Sequence, residues 1–261
     1  MIIKTTAILL QSRKYKEKDK LLTFFTSDLG RILVLCKSSR SSLHRWGCST
    51  EPPVFGYIQL YEKKGFYTLT EICAVESLWS PASSLSSLLI FQYFAHVLDR
   101  FLPYGNPQPE LFQKAQSVFF QWKAKQKEGL FYLFQFLVFF LASQGYAQPW
   151  QTCSHCGKSL ENNAIEYIYC NFSQGVICCK NCTGAYHGLL TIENPVRHLL
   201  SKMFQEKPLN EEEYQLFTTH WMQIDKILST FFSQVLDQRF ASLVHTYASL
   251  KVDWIEEKEK L

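Results

Sequence analysis

Two cysteine pairs carry the most specific chemical signal in this chain of 261 residues. Cys153-Ser-His-Cys156 and Cys179-Lys-Asn-Cys182 each set two thiols two residues apart, and 22 residues separate the pairs. That short gap lets the backbone turn as a knuckle and aim both sulfurs one way. Two facing knuckles make a tetrahedral four-thiolate shell, which Zn²⁺ accepts because it imposes no other geometry. Small residues after each pair, Gly157 and Thr183-Gly184, permit the close turn and let N–H groups point at sulfur. A closed shell leaves no place for substrate water, so one structural ion per chain is expected. Cys178 in place of Cys179 would give a three-residue gap, and His155, Cys170 and His187 are near enough to compete. The two-residue spacing favours Cys179. The alternative is a set of reduced core thiols or redox dithiols.

A second chemistry is carried by cations. Residues 1–80 hold 12 Lys+Arg against 7 Asp+Glu, while residues 81–261 hold 15 against 16. The modest net charge of +4 is therefore a basic first third joined to a nearly neutral body. Such asymmetry points that third at a polyanion. Arg13, Lys14, Lys16, Lys18 and Lys20 crowd one link, diluted by Glu17 and Asp19. Arg31, Lys37, Arg40 and Arg45 follow, the last two in a loop rich in serine. Aromatics including Tyr15, Tyr57, Tyr61, Phe66 and Tyr67 are interleaved. Binders of single strands combine cations that track phosphates with rings that stack bases. The competing reading of each ring is core packing, and of the cations a solvated surface.

The elements that must position these groups follow from pattern. Ile2–Gln11, Leu21–Ser27, Arg31–Lys37, Val54–Glu62 and Phe66–Glu76 read as strands, with Asp28-Leu-Gly30 and Lys63-Lys-Gly65 as turns. Five short strands suit an OB-fold barrel, an SH3-like barrel or a small open sheet. After Pro81 the period becomes helical. Leu88 to Leu102, Glu110 to Lys127 and Gly129 to Ser143 are the first three expected helices. Tyr214, Phe217, Trp221, Ile224, Leu228, Phe231 and Val235 form a seam at alternating spacings of three and four. That seam fits a long helix packed on its own domain better than a coiled-coil dimer, because it lasts only three heptads. The expected fold class is α+β and multidomain: a five-stranded barrel at 1–80, an all-helical domain at 81–149 and 188–261, and between them a four-cysteine segment at 150–187 that the metal would pin.

Exclusions narrow the function. With 47% apolar and 19% charged residues the chain can bury a core, so it is not a disordered one. The N-terminal apolar run, Ala7 to Leu10, is too short for a signal peptide, and Leu130 to Ala142 is too short to span a bilayer. A reducing cytoplasm is expected, where clustered cysteines hold metal more often than they form disulfides. Phosphate-loop, HExxH, GxSxG and GxGxxG motifs are absent, so no enzyme is expected.

The order of these parts resembles the RecO family of bacterial recombination mediators over essentially the whole length. The matching residues are Asp19-Lys20, Phe25-Thr-Ser-Asp-Leu-Gly-Arg31, Val34-Leu-Cys-Lys37, Ser39-Arg40, Pro53-Val-Phe-Gly56 and Tyr67-Thr-Leu-Thr70. Gly145-Tyr-Ala-Gln-Pro149 ahead of the first cysteine pair, and Gly175 ahead of the second, complete the match. Ser38 departs from the glycine common in the family. The resemblance implies an N-terminal OB-fold, a helical domain and a zinc-finger-like insertion. It implies binding of single- and double-stranded DNA, annealing of complementary strands, and work with RecR and single-strand DNA-binding protein to load RecA. It also places the protein in the bacterial cytoplasm, at the nucleoid. The candidate nucleic-acid residues are Arg13, Lys14, Lys20, Arg31, Lys37, Arg40 and Arg45. The rival reading is a zinc-stabilised protein-interaction adaptor whose basic patch meets an acidic protein tail. A zinc hydrolase would require an open metal site.

Overall fold

The computed structural model describes residues 1–39, 47–77, 84–125, 128–162, 164–235 and 241–247. It has two compact units, Met1–Gly129 and Leu130–Leu261.

In the first unit, strands β1 (Ile2–Tyr15), β2 (Asp19–Thr26), β3 (Gly30–Cys36), β4 (Val54–Lys63) and β5 (Phe66–Ser77) form a closed barrel in the order β1-β2-β3-β5-β4. The β3–β5 pairing is parallel, with Val34 opposite Tyr67 and Leu35 opposite Thr68. This is the five-stranded OB-fold, one of the three arrangements that the strand pattern allowed. Ala7, Leu9, Leu22, Phe24, Ile32, Val34, Ile58 and Leu60 point inward and are buried. The imperfect alternation of the sequence has a physical cause. Phe25 and Phe55 face out of the barrel yet are also buried, because helices α1 (Leu85–Phe101) and α2 (Pro109–Ala124) cover that side. Phe25 meets Phe112 edge-on at 5.3 Å, and Phe55 meets Phe120 at 5.1 Å. Ser84 caps α1 by accepting a hydrogen bond from the Ser87 N–H.

β1 continues to Tyr15, past the expected end at Gln11, because β2 starts at Asp19 and pairs with it: Tyr15 opposes Asp19 and Lys14 opposes Lys20. Charged residues read as a link thus lie in strand. A register shift between Leu9 and Gln11 bends β1 where it crosses from one neighbour to the next.

The second unit begins with helix α3, which spans Gly129–Ser143 and is apolar almost throughout. Phe131 and Phe134 pack edge-on against Phe217, and Phe140 stacks on Phe232, both on helix α5 (Glu211–Val235). The long seam therefore packs within its own unit. β6 (Tyr167–Asn171), β7 (Val176–Cys178) and β8 (Leu190–Glu193) make a three-stranded sheet with β6 in the middle. β8 interrupts the region the sequence presented as helical from 188 onward, and helix α4 (Asn194–Phe204) follows it. A four-residue strand has no period long enough to read. A last short helix, α6 (Leu243–Thr246), starts where the Asp225 carboxylate accepts hydrogen bonds from the N–H groups of Leu243 and Val244. Among the described residues no helix is long and apolar enough to cross a membrane.

Two glycines with positive φ give a controlled comparison. Gly30 has φ +67° and a Cβ there would meet the Asn106 carbonyl oxygen at 2.2 Å; Gly105 has φ +66° and open space around it. Gly30→Ala is expected to lose about 2 kcal/mol or more, and Gly105→Ala about 1 kcal/mol from backbone strain alone. Urea unfolding checks the ranking; equal losses would show that the Asn106 contact yields freely.

Asn210 and Glu213 form a reciprocal capping box at the start of α5, each side chain accepting the other's N–H at 2.9 Å. Burial alone would raise the Glu213 carboxyl, but hydrogen bonds from Lys202, the Asn210 N–H and His198 hold it down to about 2. A lowered folded pKa stabilises fully above the unfolded value of 4.5, and that contribution fades as pH falls through about 2. Glu213→Gln is expected to flatten the stability profile between these limits. A thermal-unfolding pH series with an unchanged slope would exclude this role.

Candidate metal centre and nucleic-acid interface

The cysteine cluster is built by backbone hydrogen bonds. In the first knuckle Gly157 N–H donates to Cys153 O at 2.9 Å, and Cys153 N–H donates to Lys158 O at 2.9 Å. Gly157 at φ +70° makes that turn possible. In the second, Cys182 N–H donates to Cys179 O at 3.0 Å. The two are tied together where Ser154 N–H donates to Ile177 O at 2.7 Å and Ile177 N–H donates back to Ser154 Oγ at 3.1 Å. Phe172, just after β6, stacks on Phe231 of α5 with ring centres 4.1 Å apart, which anchors this segment to the helix core of its unit.

The ligand atoms of Cys153, Cys156, Cys179 and Cys182 all lie within 4.8 Å of one another. Cys178 is buried in β7 and outside this group, which resolves the ambiguity between neighbouring cysteines toward Cys179. His155, Cys170 and His187 are likewise not in the group. Burial would raise the Cys153 thiol, but N–H groups of Cys156, Cys179 and His155 overcome it and bring it down to about 6. Cys182 is driven the other way, to about 12, by desolvation and by its cysteine neighbours. One sulfur is thus set up as a thiolate, and further thiolates beside it need a cation between them. The donor set is all sulfur, so it fits a structural ion such as Zn²⁺ and can hold a metal. Protein prepared without chelator should carry about one zinc per chain by elemental analysis. Cys153→Ser and Cys179→Ser should drop it below about a tenth, whereas Cys178→Ala should leave it unchanged. Equal loss in all three variants would exclude this ligand set.

The cations separate into three groups. Arg13 and Lys14, at the end of β1, and Lys37, after β3, are exposed. Lys20 is paired with Glu51 and donates to Thr50 Oγ1 at 3.3 Å. Arg31 lies 3.2 Å from Asp99 and 3.7 Å over the Tyr104 ring, so its guanidinium braces the barrel against the end of α1 and the segment after it. Arg40 and Arg45 lie outside the described residues. Cross-strand register sets Lys14, Lys20 and Cys36 in one row, and Lys37 follows directly. The Ser38 N–H donating to Asp19 Oδ1 at 2.9 Å holds the β3 exit beside the start of β2.

OB barrels hold oligonucleotides on the β2–β3 face and the loops joining β1 to β2 and β4 to β5. Here that face presents Leu33. The β4–β5 turn presents Lys63, Lys64 and Phe66, the last 78% exposed. Sequence reading saw those lysines only as a turn. The signal was present in two lysines and a phenylalanine around a glycine, since a ring beside a tight polar turn has nothing to pack on.

Two family models divide the chain between them. Residues 1–78 match the model described as recombination protein O N terminal, and residues 82–243 match recombination protein O C terminal. The chain belongs to the RecO family. Curated RecO relatives are similar over most of their length. The DNA repair protein RecO of Clostridium novyi (strain NT) is 27% identical over 256 residues, covering 93% of this chain and 92% of that one. That of Clostridium kluyveri is 26% identical over 228 residues, covering 83% and 86%. The RecO of Caldanaerobacter subterraneus subsp. tengcongensis is 23% identical over 240 residues, covering 92% and 95%. Membership agrees with the order of parts observed here: a barrel first, and a four-cysteine cluster within the second match.

Proposed function

We propose that this RecO-family chain is a non-enzymatic DNA-binding mediator of recombinational repair. The observation that carries the reading is three exposed cations at one end of the barrel: Arg13 and Lys14 at the end of β1, and Lys37 just after β3, with β2 between. Cations on a rigid β framework neutralise phosphates and release condensed counterions. Phe66, at the β4–β5 turn, offers a ring on which a base can stack. Two strands held on one such surface meet at raised local concentration, which favours annealing. On this reading residues 1–80 hold DNA, the helical regions 81–149 and 188–261 dock RecR and single-strand DNA-binding protein and so assist RecA loading, and 150–187 is a finger held by one structural zinc through Cys153, Cys156, Cys179 and Cys182. The chain acts in the bacterial cytoplasm, at the nucleoid. Lys20 and Arg31 support the surface through their internal pairs rather than by meeting phosphate. Arg40 and Arg45 extend the proposed contact set.

Single-stranded DNA binding across a salt series tests the proposal. Each phosphate contact on a single strand contributes about 0.7 to the slope of log affinity against log salt. The triple variant Arg13→Ala, Lys14→Ala, Lys37→Ala should bind more weakly and lower that slope by about 2. Absence of binding at low salt, or an unchanged slope in the variant, would sink the reading.

A further inference from the structure

The barrel has a second concave surface whose polarity is opposite to that of the exposed cations. A cavity of about 500 Å³ opens where β1, the β2–β3 turn, β4 and β5 meet. Its lining includes Asp28, Glu71, Tyr57, Thr5, Ser27 and Lys4. Asp28 is a prepared acceptor. Thr5 Oγ1 donates to its Oδ2 at 2.6 Å and Ser27 Oγ donates to the same oxygen at 2.7 Å. Thr6 Oγ1 in turn donates to Ser27 Oγ at 3.0 Å, so the hydroxyl chain is locked in orientation. Both bonds fall on one carboxylate oxygen. Oδ1 accepts none among the described residues, and no lysine or arginine among them lies within ion-pair distance of Asp28 or Glu71. These hydrogen bonds, that from Thr5 first, hold the Asp28 carboxyl below its usual range and so keep it ionised.

The third component is an exposed ring. Tyr57 is 58% exposed on the outer face of β4, opposite Thr6 of β1 in register. Gln59 stands opposite Glu71, which places Glu71 two positions along the same face from Tyr57. Ile2, Tyr61 and Val75 continue the exposed apolar surface around the cavity. A fixed carboxylate, a second carboxylate and a bare aromatic face on one concavity match one side chain above others. A guanidinium stacks its plane on a tyrosine ring while its edge N–H groups donate to carboxylate oxygens. A lysine ammonium matches the charge but not the stacking. Phosphate is disfavoured here, with two carboxylates against the single cation Lys4. β1 and β4 are paired along the cavity from Ile2–Tyr61 to Leu9–Val54, so an incoming group there meets side chains and not a free strand edge.

We propose that this cavity is a docking site for an arginine side chain presented by a partner protein, with Asp28 and Glu71 receiving the guanidinium and Tyr57 stacking against it. The site stands apart from the DNA reading and either can fail without the other.

The test is a titration of the full-length ¹⁵N-labelled protein with the capped tripeptide acetyl-Gly-Arg-Gly-amide. Two further arms use the same peptide with lysine and with uncharged citrulline. Saturable shifts of the amides of Thr5, Ser27, Asp28, Tyr57 and Glu71 are expected with arginine, at least tenfold weaker with lysine and none with citrulline. Asp28→Asn keeps an acceptor for Thr5 and Ser27, so the local network survives while the charge is lost. Asp28→Asn and Glu71→Gln should each weaken the arginine response by tenfold or more. Glu71 is exposed, so its variant remains informative if the Asp28 variant does not fold. Absence of a saturable response at these residues, an equal response to lysine or citrulline, or full binding by the Glu71→Gln protein would overturn the assignment.

Discussion

Closure of the barrel constrains nearly everything this chain does with its first unit. When β4 pairs with β1, every strand has two neighbours and the backbone hydrogen-bonding groups are used internally. Only the short β3–β5 seam, paired at Val34–Tyr67 and Leu35–Thr68, leaves backbone groups of these strands outside the ladder. Recognition must then be carried by side chains on the outer wall and in the loops. The outer wall is accordingly divided. One part is covered by α1 and α2 through Phe25 and Phe55. One end carries Arg13, Lys14 and Lys37. Another face carries Asp28, Tyr57 and Glu71.

This division places opposite charges on one small barrel without letting them cancel. Cations that sit near acids inside the fold have been recruited to hold it: Lys20 to Glu51, Arg31 to Asp99. Arg13 and Lys14, at the end of β1, are exposed. The second unit handles its charge differently. Clustered sulfurs there repel one another as thiolates, and a bound cation reverses that repulsion into cohesion. The cluster can hold a metal ion, which would fasten it, while the barrel is fastened by apolar burial.

Much of this was legible in the sequence, and the rest was hidden for identifiable reasons. The five strands were readable because β-branched and aromatic runs are broken by turn residues such as Lys64-Gly65, both at positive φ. The cysteine cluster was readable because ligand spacing is local. The assignment of roles among the cations was not. Lys20 and Glu51 are 31 residues apart, and Arg31 and Asp99 are 68 apart, so their pairing is decided by tertiary contact. β8 was missed because a short strand completes a sheet only through its partner β6. Tyr57 and Phe66 were counted among many aromatics, and only the fold tells a ring that is exposed from one that is packed.

The double-sided burial of the barrel wall has one more consequence. The N-terminal family match ends at residue 78, but the first compact unit runs to Gly129. A piece cut at the family boundary would leave Phe25 and Phe55 facing water where α1 and α2 had stood, an aromatic patch inviting self-association. The family boundary and the compact-unit boundary therefore fall at different places. The matched stretch, 1–78, is shorter than the compact unit whose helices cover its wall.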